Sequence, residues 1–144
     1  MGQYDRSRLV RHVTVGFAAG PGGYGVAYAA TGAGGRNGSP VRVEFVCRPL
    51  PALRGRDVAY AALDAVLAEL AERGMTRAVI AIDDASLPLD VAERRSLPNA
   101  LIVPYVALRC RLNRFAAVTI VEAHDGVARD LTARARAEAT LIAA

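Results

Sequence analysis

The sequence has no lysine and no tryptophan, only two cysteines and no long apolar run. Each absence removes a class of function. Without a Gly-rich loop ending in Lys-Ser/Thr there is no P-loop for nucleoside triphosphates. With no tryptophan, five tyrosines and three phenylalanines, a base-stacking platform for single strands is not indicated. Cys47 and Cys110 lie far apart and match no metal-ligand spacing, so they are expected to be reduced and packed, with no disulfide or zinc. No segment reaches the roughly 18 consecutive apolar residues of a membrane span. The first ten residues, MGQYDRSRLV, lack a signal-peptide apolar core, so a cytoplasmic location and no membrane partner are expected.

What is present is a chain of 144 residues, 53% of them hydrophobic, with a formal net charge of +4. That length suits one domain with a real core. All the lysine-plus-arginine charge is arginine, which beside abundant alanine is the mark of a GC-rich genome. The arginine excess still permits a polyanion partner, because guanidinium makes paired hydrogen bonds to phosphate. A charge this modest does not by itself identify nucleic acid.

The stretch from Val13 to Ala30, VTVGFAAGPGGYGVAYAA, organises the rest. Val13, Val15 and Phe17 alternate with smaller residues as in a strand. Gly20 to Gly25 supply a turn, and a second apolar strand follows. A dinucleotide-binding loop would need a helix after these glycines, so a hairpin is the expected reading. Residues 1–10 read as a mobile tail, and 11–142 as one domain. Thr31 to Pro40 form a second glycine-rich loop, and Val41 to Arg48 a third strand with one solvated face.

Asp57 to Gly74 is the strongest helix signal. Ala62, Leu63, Val66, Leu67 and Leu70 make its apolar stripe, Arg73 suits its last turn, and Gly74 suits the left-handed position after it. Arg77 to Ile82 is a short apolar run suited to a buried parallel strand and ends in Asp83 and Asp84. A polar stretch with Pro88 and Glu93 follows. Pro98 to Phe115 has helical character, with Pro104 expected in a first turn. Ala117 to Glu122 is a fifth strand, and a closing helix starts after His124, Asp125 and Gly126. The order β-β-β-α-β-α-β-α implies an α/β fold, a five-stranded mixed sheet of three antiparallel strands followed by alternating helices and strands.

This order, with three local motifs, resembles type 1 ribonuclease H over about residues 11–140. The hairpin GPGGYGVAY resembles that family's Gly-Pro-Gly-Gly-x-Gly turn. VEAHDG, from Val121, resembles its Val-x-x-His-x-Gly, and ARDLTARA, from Ala128, its closing Ala-Asp-x-Leu-Ala helix. The resemblance implies a ribonuclease H-like fold and an activity that cuts the RNA strand of RNA–DNA hybrids, with four carboxylates holding two magnesium ions. Such ions activate the water and stabilise the leaving oxygen.

Matched residue by residue, the resemblance implies that Asp83 and Asp130 are catalytic metal ligands and that His124 is the mobile histidine. The first two family carboxylates are matched by Val15 and Val58, so half of the cage is apolar. Leu53, Arg54 and Gly55 replace the family's Thr-Asn-Asn. Arg54 and Arg56, at the start of the first long helix, are the expected phosphate contacts. The leading expectation is a ribonuclease H-like protein that binds nucleic acid, an RNA–DNA hybrid or other duplex, with lost or impaired hydrolysis and no firm cofactor. The alternative is an active atypical metal-dependent endoribonuclease using magnesium or manganese, with Asp83, Asp130 and a displaced acid such as Asp57 or Asp84. Glu44 lies too far along the sheet for that role. Read without the resemblance, Asp83 and Asp84 are a strand-end turn and helix cap, Asp130 pairs with Arg134, and His124 is an exposed loop residue. A third reading keeps the fold as a protein-interaction module. The apolar residues Leu101, Ile102, Val103 and Tyr105 would then serve a partner or a homo-oligomer.

Overall fold

The computed structural model describes residues 9–32, 40–93 and 96–143. Strand β1 (Arg11–Ala19) turns into β2 (Tyr24–Thr31) and β2 is followed by β3 (Val41–Val46). After a 3-10 turn at Pro51–Leu53 come α1 (Arg56–Glu72), β4 (Arg77–Ile82), α2 (Ser86–Glu93), α3 (Asn99–Leu112), β5 (Ala117–Glu122) and α4 (Gly126–Ala143). The sheet order is β3-β2-β1-β4-β5. The first three strands pair antiparallel, while β4 runs parallel to both β1 and β5. This is the expected five-stranded mixed sheet. The expected N-terminal tail and the glycine-rich loop after Thr31 lie largely outside the described residues.

The β1–β2 hairpin closes where Gly23 N–H donates to the Gly20 carbonyl and Gly20 N–H to that of Tyr24. Alternation sends Val13 and Val15 to one face of the sheet, where they join Ala27, Ala29, Ile80 and Ile82 in the main core. Helix α1 covers that face with the stripe read from its sequence; Ala62, Leu63, Val66, Leu67 and Leu70 are all buried. It stops at Glu72, and Gly74 takes the left-handed conformation with φ of 86°.

Helix α4 lies on the opposite face, where Leu131 and Ala135 pack on Val26 and Tyr28. Gly16 lets it come close, since a Cβ there would stand 2.7 Å from the Leu131 carbonyl carbon.

Three sequence expectations change. The polar stretch after Asp84 contains helix α2, with Pro88 near its start, a place where proline's missing N–H costs nothing. Asp84 starts that helix, accepting from the Leu87 N–H at 2.8 Å and the Ser86 hydroxyl at 3.0 Å. Pro104 lies inside α3 rather than in its first turn. Burial of Leu101 on one side of it and Leu108 and Leu112 on the other holds the helix together across the missing hydrogen bond. Finally, Cys47 and Cys110 are both free, but Cys110 is exposed instead of packed. Among the described residues, no helix is long and apolar enough to cross a membrane.

A polar cluster ties α4 to the meander. The Tyr28 hydroxyl and the Arg42 Nε both donate to Glu138, and Arg42 also reaches Glu44 at 2.9 Å. Arg134 lies over the Tyr28 ring, 4.4 Å from its centroid, instead of pairing with Asp130. The Tyr28 hydrogen bond first, and Arg42 after it, hold the Glu138 carboxyl below its usual pKa, against the opposing effect of burial. A carboxylate depressed in the folded state contributes stability above its unfolded value of about 4.3 and loses it as pH falls through the folded value. Urea midpoints measured from neutral pH down to about 3 should therefore decline, and the decline should be shallower in Glu138→Gln.

Candidate functional site

The parallel pair β1–β4 borders the antiparallel pair β1–β2, and a strand-order reversal of this kind is where α/β sheets place ligands, beyond the strand ends. Asp83 follows β4 directly. Its N–H donates to the Val15 carbonyl at 3.0 Å. Its carboxylate turns toward α4 and accepts from the Thr132 hydroxyl at 2.7 Å. Val15 itself is 0% exposed and points into the core on the other side of the sheet. Val58 belongs to the same core.

The other acids near the strand ends have separate tasks. Asp57 is buried and accepts from the Leu50 N–H at 2.7 Å and the Val58 N–H at 3.0 Å, fastening the crossover to the start of α1. There its charge also suits the positive end of the helix. Asp84 starts α2, and Glu44 is exposed on the edge strand β3, paired with Arg42. Asp125 accepts from the Ala128 N–H at 3.2 Å and caps α4.

Asp130 is exposed. On α4 the buried residues Ala128, Leu131, Ala135 and Ala139 define the sheet-facing side. At about 100° per residue, Asp130 projects about 160° around the helix from Thr132, away from Asp83. Buried Ala128 and Leu131 also fix the register of the Ala-Asp-x-Leu-Ala pattern. They put Arg129 at its aspartate, Asp130 at its variable position and Thr132 at its last alanine. Asp83 and Asp130, expected from the sequence to share an ion, are not brought together. His124 is 81% exposed in its side chain, with Nε2 4.0 Å from Glu122 in the loop after β5.

The two arginines at the start of α1 separate as well. Arg54 is exposed, has φ of 52° and pairs with no described residue. Arg56 is turned inward, its guanidinium donating to Asp90 at 2.8 Å. Asp90 is 0% exposed and also accepts from the Tyr60 hydroxyl at 3.0 Å. Burial, and then Asp90, hold the Tyr60 phenol well above its usual pKa, so it remains a donor. This network joins α1 to α2. Sequence reading missed it, although Asp90 sits three residues after Leu87 on the apolar side of a short helix, a spacing that signals a buried charge. Thr132 and Arg129 were missed because the closing motif was matched one position out of register.

Among the described residues, no group of three His, Cys, Asp or Glu side chains could hold a metal ion. With valines at 15 and 58 and the nearby acids engaged elsewhere, the residues present do not fit a two-ion carboxylate centre.

No protein-family model matches the chain, and no curated protein does. Solved structures do. RNase H1 from the halophilic archaeon Halobacterium salinarum superposes with a TM-score of 0.68 at 19% identity, covering 90% of this chain and 96% of its own. The N-terminal RNase H domain of a Mycobacterium tuberculosis protein gives 0.65 at 17% identity, covering 93% and 98%. LC11-RNase H1 in complex with an RNA/DNA hybrid gives 0.62 at 11% identity, covering 90% and 99%. The chain has the ribonuclease H fold. Within that fold, Asp83 ends the strand next to β1 and Thr132 is its partner. The ribonuclease H frame is therefore present, with the Thr132–Asp83 hydrogen bond at one of its strand ends.

The Arg56–Asp90–Tyr60 network yields a stability prediction. Removing one member of a buried pair leaves the other uncompensated. Asp90→Ala should lower the unfolding free energy by about 3 kcal/mol, read from urea midpoints, and Asp90→Asn by less because an acceptor remains.

Proposed function

We propose that this chain is a ribonuclease H-like protein that binds nucleic acid and hydrolyses it poorly or not at all. The observation that carries this reading is the fate of Asp83. Its carboxylate is held by Thr132, Val15 and Val58 are buried in the core on the other side of the sheet, and no group of three potential metal ligands forms among the described residues. The fold supports the nucleic-acid part, since one similar structure holds an RNA/DNA hybrid.

Binding falls to arginines on the strand-end side. Arg54 and Arg129 are exposed and pair with no described residue. Arg129 stands one helical turn before Thr132, about 60° from it around α4. Guanidinium groups in these places meet phosphate directly and need no bridging ion. Arg56, expected from the sequence to contact phosphate, is assigned instead to holding Asp90.

The test is a labelled RNA–DNA hybrid incubated with purified protein and magnesium or manganese. Retention of intact hybrid, with affinity falling as salt rises, is the expected result. Robust cleavage that disappears in Asp83→Asn would overturn the reading and establish the active alternative. Arg54→Ala and Arg129→Ala should each weaken binding and reduce the slope of log affinity against log salt by about 1. Arg56→Ala should instead lower the unfolding midpoint.

A further inference from the structure

A cavity of about 330 Å³ opens between α1, α3 and the segment that joins β3 to α1. Leu50 and Leu53 line it from that segment, Ala61 from α1, and Ala100, Pro104 and Ala107 from α3. Three sides of it are therefore aliphatic. Its volume lies at the lower end of small-molecule pockets. At about 30 Å³ per water-sized group, it takes on the order of ten non-hydrogen atoms.

Three charged residues reach the same cavity, Arg48, Asp57 and Asp64. They are not equally available. Asp57 is buried, and each of its oxygens already accepts a backbone N–H, one from Leu50 and one from Val58. Asp64 is paired with Arg111 at 3.2 Å. The Tyr60 hydroxyl is engaged by Asp90. Burial first, and Asp57 after it, push the Cys47 thiol above its usual pKa, so it stays neutral. Arg48 is exposed and pairs with no described residue. The uncommitted charge on the lining is thus one guanidinium.

A guanidinium beside an aliphatic hollow matches an apolar tail that ends in an anion. The two aspartates decide which anion. A phosphate ester would bring roughly two negative charges toward them, where a carboxylate brings one. We infer that this cavity binds a linear monocarboxylate of about eight carbons, its alkyl chain lying between α1 and α3 and its carboxylate on Arg48.

This inference stands apart from the nucleic-acid reading, and its test uses nuclease-treated protein with octanoate below its micelle-forming concentration. The two cysteines report occupancy. Cys47 lines the cavity, while Cys110 is exposed and outside it. Octanoate should slow alkylation of Cys47 by N-ethylmaleimide and leave that of Cys110 unchanged. By calorimetry, affinity should rise about fourfold per methylene from hexanoate to octanoate. Arg48→Gln should weaken octanoate about tenfold and leave octanol unchanged. Ala107→Phe, at an exposed position on the cavity wall, should fill the space and abolish binding, with the circular dichroism of the parent. Arg114→Ala, exposed beyond the end of α3, should bind octanoate as the parent does. Absence of octanoate binding would overturn the inference. So would octylamine or octyl phosphate binding as tightly, octanoate binding that survives Arg48→Gln, or an equal loss in Arg114→Ala.

Discussion

Thr132 donates a hydrogen bond to Asp83 across the gap between α4 and the end of β4, and the rest of the strand-end chemistry follows from that contact. It requires α4 to lie close on β1. Gly16 permits this, because any side chain there would meet the helix backbone at Leu131 and Thr132. The contact gives Asp83 a neutral donor inside the protein. The carboxylate accepts from a hydroxyl of the neighbouring helix. Val15 and Val58 contribute to the core instead of to a ligand shell. The apolar packing under α1 and the hydrogen bond under α4 are thus two faces of one arrangement.

The frame was legible in the sequence because it rests on periodic and local signals. Alternation around Val13 and Val15 gave the strand. The glycines after Ala19 gave the hairpin, and Gly74 marked the end of α1 through its left-handed conformation. The side-chain partners were less legible, because they depend on contacts distant in sequence. Arg56 stands beside a free-looking Arg54, and only the docking of α2 shows that one is committed to Asp90 and the other exposed. Helix α2 itself was hidden by Pro88, whose helix-breaking character does not apply in a first turn. Asp130 was matched as a ligand through the resemblance of ARDLTARA to the closing helix of type 1 ribonuclease H. The burial of Ala128 and Leu131 shows it to be on the solvent side.

Arginine's distribution separates structural from available charge. Arg42 and Arg134 are used around Tyr28 and Glu138, Arg56 on Asp90, Arg109 and Arg111 in seating α3. Each is fixed by a partner on another element or by an aromatic face. Arg54 and Arg129 pair with no described residue and flank the strand ends from opposite faces of the sheet, one at the start of α1 and one at the start of α4. A phosphate backbone crossing the ends of β1 and β4 would pass between them.

The ribonuclease H frame of this chain rests on its apolar core and not on the acids near its strand ends. In a metal enzyme, clustered carboxylates repel one another and strain the strand ends until cations arrive. Here Val15 and Val58 are buried in the core, each such side chain worth about 1.5 to 3 kcal/mol when fully removed from water. Retaining Asp83 with Thr132 avoids leaving a single half-buried acid unpaired. The core under α1 and the Thr132–Asp83 hydrogen bond under α4 thus hold the strand ends from both faces of the sheet.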